Sequence, residues 1–313
     1  MQIGMAVNEG SFGSGVASII DIVRVADAVR GEVDPTIPPI DLHLAGPSAR
    51  IALSTEMTLQ PNCGLDDLGA CDVIVVPALG TLTAEATRER LAGSGARAIR
   101  AALEGVDPTV SRLAAACTGV FALAEGGHLD GRRATTSWFL GADFRSRYPE
   151  VTVELDEMVV TDGPITTAGA AFAHIDLALS LLRTVSSDLA RHVAQLLVID
   201  ERPSQATFIA YDHVQHDDQL VIDFERYVRS SLDQPFDAKV AASSIGTSRR
   251  TLERRVRDVL GLTPLGFVQR LRVERARHLQ ATTDLTTEDI ALRVGYANAE
   301  SLRALIRRTG GPG

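Results

Sequence analysis

Arg249, Arg250, Glu253, Arg254 and Arg257 crowd one short stretch of the chain. A helix opened by Ser248 as N-cap turns Leu252 and Val256 inward at i, i+4 spacing and leaves those five residues outward. Arginine presents a planar fork that matches guanine O6 and N7, and glutamate can accept from cytosine N4. A sparser version follows around the inward Leu302, with Asn298 as N-cap and Glu300, Arg303, Arg307 and Arg308 beyond it. In each case a short helix with small inward residues (Ala241 and Ala242; Ile290 and Ala291) precedes a turn glycine. These glycines are Gly246 and Gly295, 49 residues apart. Short helix, glycine turn and charged second helix make the helix-turn-helix pattern, whose second helix can lie in a major groove. The chemistry expected here is recognition of duplex DNA rather than bond-making.

A second group could do covalent chemistry. Ala114-Ala115-Ala116-Cys117-Thr118-Gly119 reads as a strand of small residues, a sharp turn at the cysteine and a helix start. That is the outline of a nucleophile elbow. A sulfur beside a helix N-terminus meets a dipole and free N–H groups, which favour thiolate or an anionic ligand. A thiol needs a base and an orienting partner for turnover. His128 follows the elbow helix in a glycine-rich turn and is expected to face solvent. His213 and His216, with Asp212, Asp217 and Asp218, form a His-x-x-His segment without helical i,i+4 spacing, so a polar linker is expected there and no metal.

The elements that must position these groups alternate. Strand-like segments at Met1–Val7, Ile40–Ala45, Cys71–Pro77, Arg112–Ala116, Ala134–Thr136, Val151–Leu155, Met158–Thr161 and Ile165–Ala168 are interleaved with helical ones. The latter are Val16–Arg30, Ala84–Glu104, Gly119–Gly126 and Ala170–Arg183. This alternation predicts an α/β body, a mostly parallel sheet with helices on both faces. Ser186–Ile199 and Leu220–Ser231 read as amphipathic connecting helices, and Pro264–Ala281 as a linker helix between the two turn motifs. Leu265, Val268, Leu271, Ala276 and Leu279 form its expected inward stripe, with Arg270, Arg272, Arg275 and Arg277 outside.

Charge separates the parts. The chain carries net charge −9, but residues 233–313 hold 14 basic and 9 acidic residues, net +5, leaving −14 on the rest. A basic tail on an acidic body is expected when one module alone meets phosphate. Lys239 is the only lysine, so the positive charge is almost all arginine. The three cysteines, Cys63, Cys71 and Cys117, have no CxxC spacing, which points to free thiols in a reducing cytoplasm. The apolar runs are too short to span a bilayer, and Met1 leads straight into a strand-like segment without a leader pattern.

Two resemblances add to this reading. Gly261-Leu262-Thr263-Pro264, Phe267–Leu279, Asp289-Ile290-Ala291 and Val294-Gly295-Tyr296 resemble the AraC family of transcription regulators. The resemblance implies that Arg250, Glu253 and Arg254 face bases and that Arg249 and Arg257 face phosphate. In the second unit it implies Ala299, Glu300 and Arg303 at the bases, with Arg307 and Arg308 near the backbone. The family continues past the second unit through a closing helix. Gly310–Gly313 departs from that pattern, so either a less stable second unit or a chain cut short of its closing helix is expected.

Gly126–Trp138, with Cys117-Thr118-Gly119, Ala168-Gly169-Ala170 and Ile175–Leu179, resembles the PfpI/ThiJ superfamily of class I glutamine-amidotransferase-like domains. It looks most like the branch fused to an AraC-type tail, the GlxA-type regulators. Catalytic relatives place a histidine where this chain has Ser137, and an acid near the start of the first helix, where Ala17 falls, with Glu9 and Asp21 nearby. The resemblance therefore implies a sensor pocket of Cys117, Thr118, Ser137 and Trp138 with no catalytic residue and no cofactor. The expected organisation is a sensor domain at 1–183, a helical connector at 184–232 and a tandem helix-turn-helix domain at 233–313. The implied partners are double-stranded DNA, a small effector of nitrogenous type, a second copy of the chain and RNA polymerase. The rival function is a cysteine-dependent PfpI-like hydrolase or hydratase tethered to DNA.

Overall fold

The computed structural model describes residues 1–106, 110–200, 202, 204–205, 216 and 218–308. Asp212, His213, Asp217 and Gly310–Gly313 lie outside the described residues. The chain divides into two compact units, residues 1–140 with 147–205, and residues 141–146 with 206–313.

In the first unit, β1 (Gln2–Ala6) leads into α1 (Gly13–Val33) and β2 (Asp41–Ala45). A short hairpin follows, β3 (Ile51–Ala52) and β4 (Thr58–Leu59), then a 3₁₀ turn at Leu65–Ala70 and β5 (Val73–Val76). Next come α2 (Ala84–Ala92), α3 (Ser94–Glu104), β6 (Arg112–Ala116), α4 (Gly119–Glu125) and β7 (Arg133–Ala134). After a 3₁₀ turn at Trp138–Leu140 the chain passes through α5 (Gly141–Arg147), whose residues 141–146 belong to the second unit, and then β8 (Thr152–Val153), β9 (Val159–Asp162), β10 (Ile165–Ala168), α6 (Ala173–Val185) and α7 (Ser187–Leu196).

Six strands form one sheet in the order β2-β1-β5-β6-β10-β9, parallel throughout except where β9 runs antiparallel to β10. The strands are short apolar runs because both faces are covered. On one face Ile3, Met5, Val73, Val75, Ala114 and Ala116 meet Ile19, Ile22 and Val23 of α1, Leu177 and Leu181 of α6, and Leu189 and Val193 of α7. Helices α3 and α4 lie together, and α4 packs on β5 and β6. The mostly parallel α/β fold is as the strand–helix alternation predicts.

Two readings change. The helix read through Ala84–Glu104 is two helices, broken at Gly93, whose ψ of 155° is extended. Gly93-Ser94-Gly95 supplies poor helix formers at the break. The connecting helices also form no separate body among the described residues. Helix α7 packs on α1 and α6 of the first unit.

In the second unit α8 (Gln219–Ser230) packs on α9 (Ala238–Ser244) and α10 (Arg249–Leu260). Its Phe224 ring lies 5.6 Å from Phe267 and 6.2 Å from Phe236. Then follow α11 (Pro264–Thr282), α12 (Thr287–Arg293) and α13 (Ala299–Arg308). Pro264 opens α11, where its missing N–H costs nothing. Around α12 and α13 a second small core joins Ala276, Leu279, Ile290, Ala291, Val294 and Leu302. Among the described residues no helix is long and apolar enough to cross a membrane.

Candidate DNA interface and ligand site

Each helix-turn-helix is built as its residues dictate. Gly246 and Gly295 turn at φ 71° and 80°, the left-handed region that glycine enters without a Cβ clash. The Ser248 hydroxyl accepts from the Thr251 N–H at 3.1 Å, and Asn298 Oδ1 accepts from the Ser301 N–H at 2.9 Å, so both second helices are capped. Ala241, Ala242, Leu252 and Val256 are buried in the first motif, and Ile290, Ala291 and Leu302 in the second.

Arg249, Arg250, Arg254 and Arg257 are exposed along α10. Glu253 is half-buried and accepts from Arg249 Nε at 2.7 Å, which pushes the Arg249 guanidinium above its ordinary pKa. Arg250 and Arg254 have no ion pair among the described residues, so they are the free forks of this face. Arg255, not singled out in the sequence, forms an ion pair with Asp218, the N-cap of α8. Along α13, Glu300, Arg303 and Arg307 are exposed.

Ala299 is different. It is 5% exposed, and its N–H donates to Glu288 Oε2 at 3.1 Å. As the first residue of α13 it packs inward, so it cannot present its methyl to a base.

The linker helix also corrects two expectations. Leu265 is exposed, while Phe267 and Val273 are buried in its stead. Arg272 is 6% exposed rather than outward. Its Nε donates to Leu232 O at 3.1 Å, its Nη2 to Gln234 O at 2.5 Å, and its guanidinium lies 5.2 Å from the Tyr296 ring centroid. Two carbonyls and an aromatic face replace the water an arginine loses on burial.

In the α/β body, Cys117 stands at φ 53°, the strained turn expected of an elbow. Its N–H donates to Ala168 O at 3.0 Å, and its carbonyl accepts from the Thr136 hydroxyl at 2.8 Å. Thr118 Oγ1 accepts from the Leu79 N–H at 2.9 Å. Gly119 is required by close approach, since a Cβ there would stand 2.5 Å from the Val76 and Pro77 carbonyl oxygens. Cys117, Thr118 and Ser137 are buried, and Trp138 is half-buried with its ring edge-on to Phe139 at 5.5 Å.

Burial pushes the Cys117 thiol up to about 11, against smaller downward pulls from the Thr118 backbone and the Ser137 and Thr118 hydroxyls. Desolvation thus outweighs the short helix behind the sulfur, and the thiol stays protonated at neutral pH. Ser137 Oγ is buried and makes no hydrogen bond of good geometry to the described chain.

The sequence reading overlooked His174, a fully buried imidazole at the start of α6. Its Nε2 accepts from the Ala78 N–H at 3.0 Å, and Nδ1 bonds the Ala171 carbonyl. Burial holds its pKa down to about 4, so it is neutral and committed to backbone. His128, expected in solvent, is half-buried. Desolvation lowers its pKa, and Nε2 has no partner among the described residues.

An open cleft of about 980 Å³ lies elsewhere, lined by Asn8, Glu9, Thr81, Arg90, Ser94 and Gly95 among others. It sits beyond the carboxyl ends of β1 and β5, where the strand order reverses around β1, the usual ligand position in open parallel sheets. Cys117, Thr118, Ser137 and Trp138 do not line it. The break at Gly93 that frees Ser94 and Gly95 was its one sequence signal. Among the described residues no group of three or more His, Cys, Asp or Glu side chains is arranged to hold a metal.

Residues 38–184 match the DJ-1/PfpI family, and residues 241–311 match a helix-turn-helix domain. The chain is 34% identical over 188 residues to the HTH-type transcriptional regulator CdhR of Pseudomonas aeruginosa, covering 57% of this chain and 54% of CdhR. It is 24% identical to the HTH-type transcriptional regulator GbdR of the same species over 287 residues, 90% of this chain and 74% of GbdR. With GlxA of Rhizobium meliloti it is 25% identical over 60% of this chain and 59% of the relative. In fold, the chain is similar to a THiJ/PfpI family protein from Pseudomonas syringae, with a TM-score of 0.51 at 16% identity over 64% of this chain and 76% of that one. Drosophila melanogaster DJ-1beta gives 0.50 at 17% identity, over 64% of this chain and 98% of that one. The chain therefore joins a DJ-1/PfpI domain to an AraC-type helix-turn-helix domain, the architecture it shares with the HTH-type transcriptional regulators.

Proposed function

We propose that this chain is a cytoplasmic, sequence-specific DNA-binding transcription regulator whose DJ-1/PfpI body senses a small nitrogenous metabolite. The observation that carries the reading is the outer face of α10, with Arg250 and Arg254 exposed and unpaired on a capped helix over a buried Leu252 and Val256. Arg250, Glu253 and Arg254 read bases. Arg249 and Arg257 hold phosphate. Glu300, Arg303 and Arg307 give a weaker second readout, with Ala299 only packing their helix. The chain acts as a homodimer on duplex DNA and meets RNA polymerase there.

The body works without turnover. A thiol held near 11 is a poor nucleophile at neutral pH, and Ser137 cannot act as a general base. The imidazole of His174 is fixed to two backbone groups. Incubation with amides, isonitriles and α-oxoaldehydes yields no Cys117-dependent product on this account. Turnover of ~1 s⁻¹ or more, typical of enzymes, would establish the hydrolase or hydratase rival instead.

The DNA-reading role is tested by Arg250→Ala and Arg254→Ala. Each should lose ~1–3 kcal/mol on a selected duplex and relax base preference at one or two positions. Equal loss on selected and random duplex would reassign both arginines to phosphate.

A further inference from the structure

The two helix-turn-helix motifs are built alike and charged differently. The second residue of the leading helix is Lys239 in α9 and Glu288 in α12, 49 positions apart, and both are exposed. The first residue of the following helix is Arg249 in α10 and Ala299 in α13. At these two matched places the first motif has a pair of exposed cations, and the second has a carboxylate and a buried methyl. The contrast extends along the helices. Residues 238–260 carry six basic and two acidic side chains, and residues 287–308 carry four and three. Asp237, the acid that precedes α9, is held by its own helix as N-cap, where it accepts from the Lys239 and Val240 N–H groups at 2.6 and 3.1 Å.

Glu288 reaches from α12 to the start of α13. Its Oε2 accepts from the Ala299 N–H, the opening donor of that helix, at 3.1 Å. Asn298 Oδ1 takes the Ser301 N–H at 2.9 Å. In a helix-turn-helix the start of the second helix is the part that approaches the duplex. An uncovered helix start attracts phosphate through its free N–H groups and its dipole. Here a carboxylate has taken the opening donor and set a negative charge on that end of α13, and the exposed Glu300 adds a second in the first turn. Both repel backbone phosphate, most strongly at low salt.

We propose that Glu288 is a negative determinant of DNA binding: its carboxylate keeps backbone phosphate off the start of α13 and leaves α10 to anchor the chain on the duplex. The proposal rests on the DNA-binding function given above and accounts for the weaker readout of the second motif.

The test measures binding of the full chain to a duplex selected from a random library and to its scrambled sequence, at about 50 and 200 mM salt. Glu288→Gln keeps an oxygen for the Ala299 N–H and removes only the charge. It should tighten binding to both duplexes about three- to tenfold at the lower salt, and less at the higher. Glu288→Lys repeats the residue of the first motif. It should tighten binding further and steepen the log–log salt dependence by about one. It carries the test if circular dichroism shows the glutamine variant less folded, since Asn298 still caps α13. Glu32→Gln removes one exposed acid from α1 of the body and should change little, which separates a local effect from the overall charge of the chain. The inference is overturned if neither Glu288 variant binds tighter than wild type, if the gain is confined to the selected duplex, or if Glu32→Gln gives the same gain. Each of those results leaves the regulator reading in place, because wild type still discriminates between the duplexes. A wild-type chain that binds neither duplex overturns both.

Discussion

Cys117 and His174 are each fully enclosed and each held in the neutral form, the thiol near 11 and the imidazole near 4. For His174 the consequence is a stability that depends on pH. The unfolded imidazole takes up a proton below about 6.5, the ordinary value, and the folded one only near 4. Stability is therefore intact above 6.5 and falls as pH drops toward 4, by about 3 kcal/mol if fully expressed. Urea melts at pH 7.5 and 4.5 should show that loss in wild type, and His174→Gln should flatten it. For Cys117, native iodoacetamide labelling at pH 8 should modify the half-buried Cys63 first and leave Cys117 largely untouched. The arginine face of α10 and the caps at Ser248 and Asn298 were legible because spacing alone determines which way a helical residue points. Ala299, Arg272 and His174 were not, since their burial depends on neighbours distant in sequence.

At the level of elements, the second helices of both motifs depend on a side-chain cap, and Ser248→Ala should lower stability by ~1 kcal/mol in chemical denaturation. Arg272 has the larger task. From α11 it ties the Leu232 and Gln234 carbonyls to the Tyr296 ring beside the Gly295 turn. Arg272→Met keeps the stem but leaves two carbonyls short of a donor, so it should destabilise by about 2 kcal/mol and lower the hydrogen-exchange protection of α12 and α13. Exposed Arg275→Met, on the same helix, serves as the control and should change little. Helical periodicity placed α11 but missed its inward face, because an arginine with carbonyl partners can occupy a position that hydropathy reserves for leucine. The same limit hid the break between α2 and α3. Just past that break Gly95 approaches Asn8, a proximity between residues more than eighty positions apart.

For the whole molecule, the charge split of +5 on residues 233–313 against −14 on the remainder favours phosphate contact on one part and opposes it on the other. The strand–helix alternation made the α/β body legible, and the paired turn glycines made the tail legible. The allegiance of the connecting helices was not, as each is amphipathic and only packing shows that α7 belongs with α1 and α6 while α8 belongs with α9 and α10. The most direct measurement selects a duplex from a random library with the full chain. Fluorescence anisotropy then compares that duplex with its scrambled sequence over a salt range of about 50–300 mM. Arginines that read bases as well as phosphate should give at least ~10³-fold tighter binding to the selected duplex, with affinity for both duplexes falling steeply as salt rises. Equal affinity for the two sequences, or no salt-sensitive binding to either, would contradict the account of this chain as a sequence-specific DNA-binding regulator.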